Sequence, residues 1–114
     1  MHIDSYKFGE IVIDGTTYKS DVIIIGGAVR PNWWRKQGHL LSIDDLEAVV
    51  AAKPSVLVIG CGASGIMKVP EDTPQALRQQ NIQAEVMNTH EAVRRFNQLS
   101  AEGADVAAAL HLTC

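Results

Sequence analysis

Gly60-Cys61-Gly62-Ala63-Ser64-Gly65 spells G-x-G-x-x-G, the spacing with which a strand–turn–helix unit cradles a dinucleotide pyrophosphate. That chemistry needs a helix to open inside the pattern, so that its N-terminus meets the phosphates. Ile66-Met67-Lys68-Val69-Pro70 follows instead, and the next residue suited to cap a helix is Asp72. A Rossmann dinucleotide site is therefore not expected. A smaller task stays open to the same residues: the N–H groups of Gly62–Gly65, with Ser64 among them, and Lys68 suit a small anion. The plainer alternative is a tight loop whose glycines allow positive φ and close packing.

The second chemical stretch is Arg30-Pro31-Asn32-Trp33-Trp34-Arg35, followed by His39. Trp and Arg are the residues that most often anchor binding surfaces. Arg30 or Arg35 suits a carboxylate or phosphate gripped through two N–H groups, and either can stack on a tryptophan. The competing structural reading has one Trp plugging the core while Arg35 pairs with an acid. It applies to Trp34 at least as well as the functional one, whereas Trp33 is expected to be partly exposed.

Cys61 would be a nucleophile only beside a base such as His39 or His111; an inert buried thiol is the favoured expectation. His39, His90 and His111 share no metal-ligand spacing, and no third and fourth ligand can be found, so neither a metal nor a cofactor is expected. Ser64 lacks the G-x-S-x-G frame of a hydrolase elbow. Cys114, the last residue of the sequence, is not expected to be a prenylation site. Asp44, Asp45, Glu47, Glu71 and Asp72 suit helix starts and are read as structural.

The elements that must position these residues follow from pattern. Residues 1–19 read as β, with Asp14-Gly15 between Ile11–Ile13 and Thr16–Tyr18 as a two-residue hairpin signal. Val22–Ile25 is a strand ended by Gly26-Gly27, and Ala28–Leu41 is a long loop without period. Ser42 caps a helix with Asp45 three residues on, apolar at Ile43, Leu46, Val49 and Val50, and stopped by Pro54. Val56–Ile59 is an unbroken β-branched run, expected to be the central strand, buried on both faces. Asp72 or Thr73 caps a second helix with Pro74 at its first position, broken near Asn81. Ala84–Met87 is a strand, Thr89 caps a third helix that Gly103 closes, and Val106–Leu112 is the last strand, with its direction left open. This alternation predicts one α/β domain over residues 1–114: three-layer, with a mixed, mostly parallel central sheet and an N-terminal β-hairpin.

The 114 residues carry 10 Lys and Arg against 13 Asp and Glu, a net charge of −3, which supplies no basic field for nucleic acid. No run approaches the length of a membrane span. The start, MHIDSYKFGE, reads neither as a signal nor as a transit peptide. Two cysteines make no disulfide framework, and a reducing cytoplasm is the expected home.

The order of short motifs resembles a small α/β family of archaea and bacteria that includes the human adipogenesis-associated domain-containing protein and a mitochondrial assembly factor for respiratory complex I. The likeness runs from about Ser20 onward. It is carried by Gly26-Gly27, Trp34-Arg35, His39, Leu57-Val58-Ile59-Gly60, Gly62, Lys68-Val69-Pro70, Thr89, Glu91-Ala92-Val93, Asn97, Gly103, His111 and Thr113-Cys114. The resemblance implies a three-layer fold with a mixed sheet, no established reaction, and a relative that acts by binding proteins. It also implies a shared surface or pocket at Trp34, Arg35, Gly60, Gly62, Lys68 and His111. The expected function is a non-catalytic cytoplasmic binding or assembly module, monomeric or homodimeric, with a protein partner. The alternative is a small enzyme or sensor holding an anionic metabolite at Gly60–Gly65, with His39 or His111 moving a proton. Both rest on the Arg30–His39 loop and the glycine loop sharing one rim.

Overall fold

The computed structural model describes residues 1–114. Three antiparallel strands, β1 (Ile3–Lys7), β2 (Glu10–Ile13) and β3 (Thr16–Tyr18), form a small N-terminal sheet. Asp14 and Gly15, at φ 47° and 80°, make the expected tight turn between β2 and β3. A five-stranded sheet follows, built from β4 (Val22–Ile25), β5 (Ala28–Arg30), β6 (Val56–Cys61), β7 (Gln83–Met87) and β8 (Val106–His111) in the order β5-β4-β8-β6-β7. Its helices are α1 (Glu47–Ala52), α2 (Asp72–Gln79) and α3 (Thr89–Ala101).

Several expectations need correction. The sheet is mixed but not mostly parallel: β6 runs parallel to β7 and β8, whereas β4 is antiparallel to β5 and β8. One of the two antiparallel pairings comes from Gly26-Gly27, whose φ values of 58° and 76° fold the supposed loop back as strand β5. β6 is an interior strand, but the centre of the sheet belongs to β8. Ala107, Ala108 and Ala109 carry weak strand propensity, so composition hides a segment that is buried on both sides.

Side-chain alternation divides the core. Leu57, Ile59, Cys61, Ala107, Ala109 and Ile23 face one side of the sheet, packed with Leu46, Val49, Leu77, Met67 and Trp33. Val58, Ala108, Leu110, Val22 and Ile24 face the other, against Phe96, Ala92, Leu99 and the inward side chains Ile3, Ile11 and Ile13 of the small sheet.

Helix starts differ in detail. Ser42 opens a 3-10 turn, Ile43–Leu46, before α1. The Asp45 carboxylate accepts the Ser42 N–H at 3.0 Å and its hydroxyl at 3.1 Å. Lys53 ends α1 in the left-handed conformation, just before Pro54. Asn88, not Thr89, caps α3: its Oδ1 accepts the Glu91 N–H at 2.9 Å. Thr89 is inside the helix and completely buried, for a reason that lies at the functional rim.

Candidate functional site

The carboxyl ends of β6 and β8 lie side by side, with Cys61 opposite His111. The residues after His111 carry the rim. Leu112 O accepts the Gly9 N–H at 2.8 Å and the Tyr6 hydroxyl at 2.7 Å, Thr113 O accepts the Ala63 N–H at 2.8 Å, and Cys114 O accepts the Ile66 N–H at 3.1 Å. The segment Leu112–Cys114 thus ties together the small sheet and the glycine loop.

This tie explains the glycines. A Cβ on Gly62, which has φ 100°, would come within 2.6 Å of the Thr113 and Cys114 carbonyl oxygens. A Cβ on Gly60 would come within 2.8 Å of Thr89 Oγ1. That hydroxyl accepts the Gly62 N–H at 2.8 Å and donates to His111 O at 2.6 Å, bridging α3 to both strand ends. The expected anion nest is not free: the Gly62, Ala63 and Gly65 N–H groups bond to Thr89 Oγ1, Thr113 O and Gly62 O. The reading of the loop as close packing with positive φ fits these contacts. Ser64 is exposed at its tip.

The tryptophan loop reaches the same rim. The Trp33 N–H donates to Asp21 O at 3.0 Å, and Asn32, at φ 58°, donates its N–H to Ser20 Oγ at 2.8 Å. Pinned there, the extended chain alternates: Trp33 in, Trp34 out, Arg35 in. Trp33 is 8% exposed, with its indole N–H on Asp45 O at 3.0 Å, whereas Trp34 is 80% exposed. The expectation for the two rings is therefore reversed, because the backbone pins fix which one turns inward.

Arg35 is structural as well as central. Its side chain is only 5% exposed, with Nη2 on Asp21 Oδ2 at 2.8 Å, Nε on Gly38 O at 3.0 Å and the guanidinium 4.7 Å from the Trp33 ring centre. His111 Nδ1 lies 2.8 Å from Asp21 Oδ2 and 3.0 Å from Arg35 Nη2. Of these three atoms only Oδ2 cannot donate when the carboxyl is ionised, so Nδ1–H and Nη2–H both donate to it. The other ring nitrogen, His111 Nε2, lies 3.5 Å from Thr113 Oγ1. Asp21 Oδ1 accepts the Leu112 N–H at 2.8 Å. Burial works to raise the Asp21 pKa, but the bonds from His111, Leu112 and Arg35 outweigh it and hold the carboxyl below its ordinary value.

Around this group Trp34, Arg35, His39 and His111 line one cavity of about 260 Å³, with Lys19 and Asp21. The His39 and His111 rings meet edge-on at 5.7 Å, and Cys114 Sγ is 3.6 Å from His39 Nε2. Arg30 lies apart, exposed at the end of β5 and lining a separate groove. Lys68 does not line the cavity, although its N–H donates to His39 O at 2.8 Å. Cys61 is buried, and burial pushes its thiol up, away from the reactive thiolate. Asp21, Thr89 and Leu112–Cys114 were missed as site residues. A carboxylate directly before an apolar strand was the available signal for Asp21, but it names no partner.

A family model described as a protein of unknown function (DUF498/DUF598) matches residues 3–111. The chain belongs to the DUF498/DUF598 family. An uncharacterized protein of Rhodobacter capsulatus, RCAP_rcc01784, is 33% identical over 112 residues, covering 96% of this chain and 83% of that protein. Among solved structures, MT938 is similar with TM-score 0.83 and 27% identity, covering 99% of this chain and 98% of the other. Conserved hypothetical protein PH1505 from Pyrococcus horikoshii OT3 matches in fold, with TM-score 0.86 and 22% identity over the whole of both chains. A Bordetella pertussis protein described as a Mth938-like domain also matches in fold, with TM-score 0.68 and 20% identity over 97% of this chain and 85% of that one. For the DUF498/DUF598 chain these likenesses supply a fold and a family. No helix in it is long and apolar enough to cross a membrane.

Proposed function

We propose that this DUF498/DUF598 chain is a non-catalytic binding module that docks a protein partner on the rim around Leu112–Cys114. One observation carries the reading. Of the four large apolar side chains most exposed to water, three stand by this segment: Trp34 at 80%, Phe8 at 62% and Ile66 at 49%. Trp34 lines a cavity with Leu112 and Thr113, Phe8 precedes Gly9, whose N–H bonds to Leu112 O, and Ile66 bonds to Cys114 O. Apolar side chains gathered at one rim mark an interaction site far better than scattered ones do. The resemblance to the family of the adipogenesis-associated protein and the complex I assembly factor agrees, as analogy, with a protein-binding role.

The test is affinity capture with the tagged full chain from extract of its own cells. The wild type should retain a specific partner that the Phe8→Ala/Trp34→Ala/Ile66→Ala variant, still cooperatively folded, loses. Equal capture by both, or none by the wild type, overturns the reading. A second reading, a site for a small anionic metabolite, has Lys19, His39 and His111 on the 260 Å³ cavity in its favour. Phosphates or carboxylates that raise the melting temperature would favour it.

A further inference from the structure

The other flank of Trp34 faces an open groove of about 640 Å³, whose walls include Ile23, Pro31, Trp33 and Ala48. Its charged residues divide into used and unused. Asp45 accepts from Ser42 and from the Lys36 N–H at 3.1 Å, and the Lys36 ammonium lies 3.4 Å from Asp44. Arg30 and Glu47 remain. Both are exposed groove residues of opposite sign, and neither side chain has a hydrogen-bond or ion-pair partner within the chain. Trp34 stands between cavity and groove, and its indole N–H likewise makes no bond within the chain.

A contact across a two-fold axis uses the same patch twice, so the patch must be complementary to itself. This one has a projecting aromatic ring, apolar walls to receive one, an unpaired cation and an unpaired anion. We propose that the groove is the interface of a two-fold homodimer, with Trp34 of each copy against the groove of the other and Arg30 facing the second copy's Glu47. A partner of a single charge sign would leave either Arg30 or Glu47 against like charge, whereas a second copy satisfies both. The inference rests on reading Trp34 as a docking residue, and it names the occupant of the groove side of that residue.

Sedimentation of the full chain at about 100 µM tests it, since a dimer's population is set by concentration. The wild type should sediment as a dimer. Arg30→Glu and Glu47→Arg should each weaken it by about tenfold or more. The charge pattern then predicts two rescues: the Arg30→Glu/Glu47→Arg chain dimerises again, and an equimolar mixture of the two single variants forms a mixed dimer. Trp34→Ala should be monomeric and still unfold cooperatively, with a melting temperature that, unlike the wild type's, does not change with protein concentration. A monomeric wild type, or a dimer indifferent to both charge variants and to Trp34→Ala, overturns the proposal. The two charge variants leave Phe8 and Ile66 intact. Partner capture that persists in them while the wild type is monomeric overturns the dimer alone, and a wild type that dimerises but captures no partner overturns the rim alone.

Discussion

At the scale of single residues, Asp21 does the most with the least. Its two oxygens receive Arg35, His111 and the Leu112 N–H. Its folded pKa lies below the unfolded value, which is near 3.9. The stabilisation this brings is therefore complete above the unfolded value and lost as pH falls through the folded one. In urea titrations the stability gap between wild type and Asp21→Asn should be widest near neutral pH and close below about pH 4. A gap that stays constant down to acid pH would mean the charge is not what Asp21 contributes. Arg35 was legible as a carboxylate partner because its planar fork fits few other groups. Its mate was not, since the two are 14 positions apart and meet only through the fold.

Among the elements, the join between α3 and the strand ends depends on one hydroxyl. Thr89→Val keeps the shape but leaves the buried Gly62 N–H and His111 O without their partner. Each unpaired buried group costs about 1–3 kcal/mol, so denaturant unfolding should show a loss of about 2–6 kcal/mol. A loss below about 1 kcal/mol, by the same reasoning, would show that another group replaces the hydroxyl. Element types were largely readable: Asp14-Gly15, the run Val56–Ile59, Asn81 and Gly103 each stand where sequence put a turn, strand or stop. β5 was not, although Gly26-Gly27 is itself a hairpin signal, because the Pro and Trp residues that follow suggested loop. Thr89 looked like an ordinary cap, and nothing local reveals that its hydroxyl faces a strand end instead.

For the molecule as a whole, the two cysteines report on integrity. Cys61 is buried in β6 with its thiol pushed up, whereas Cys114 is half-buried beside His39. A thiol reagent at pH 8 should modify Cys114 promptly, and Cys61 only at the rate of global opening, accelerated by denaturant. Prompt modification of both would mean that the rim opens without unfolding. That both loops share one rim was legible from the rule that sites lie beyond strand carboxyl ends. The segment that joins them was not, because Leu112–Cys114 acts there mainly through backbone carbonyls that any residue supplies.

The position of β8 has a consequence for biosynthesis. It is the last of the eight strands along the chain and the middle one of the larger sheet. Until residue 111 has left the ribosome, the β4–β5 hairpin and the β6–β7 portion have no strand to join them, and each presents an unpaired edge. A nascent chain of this design must hold two half-sheets in waiting, then close them in a single late event.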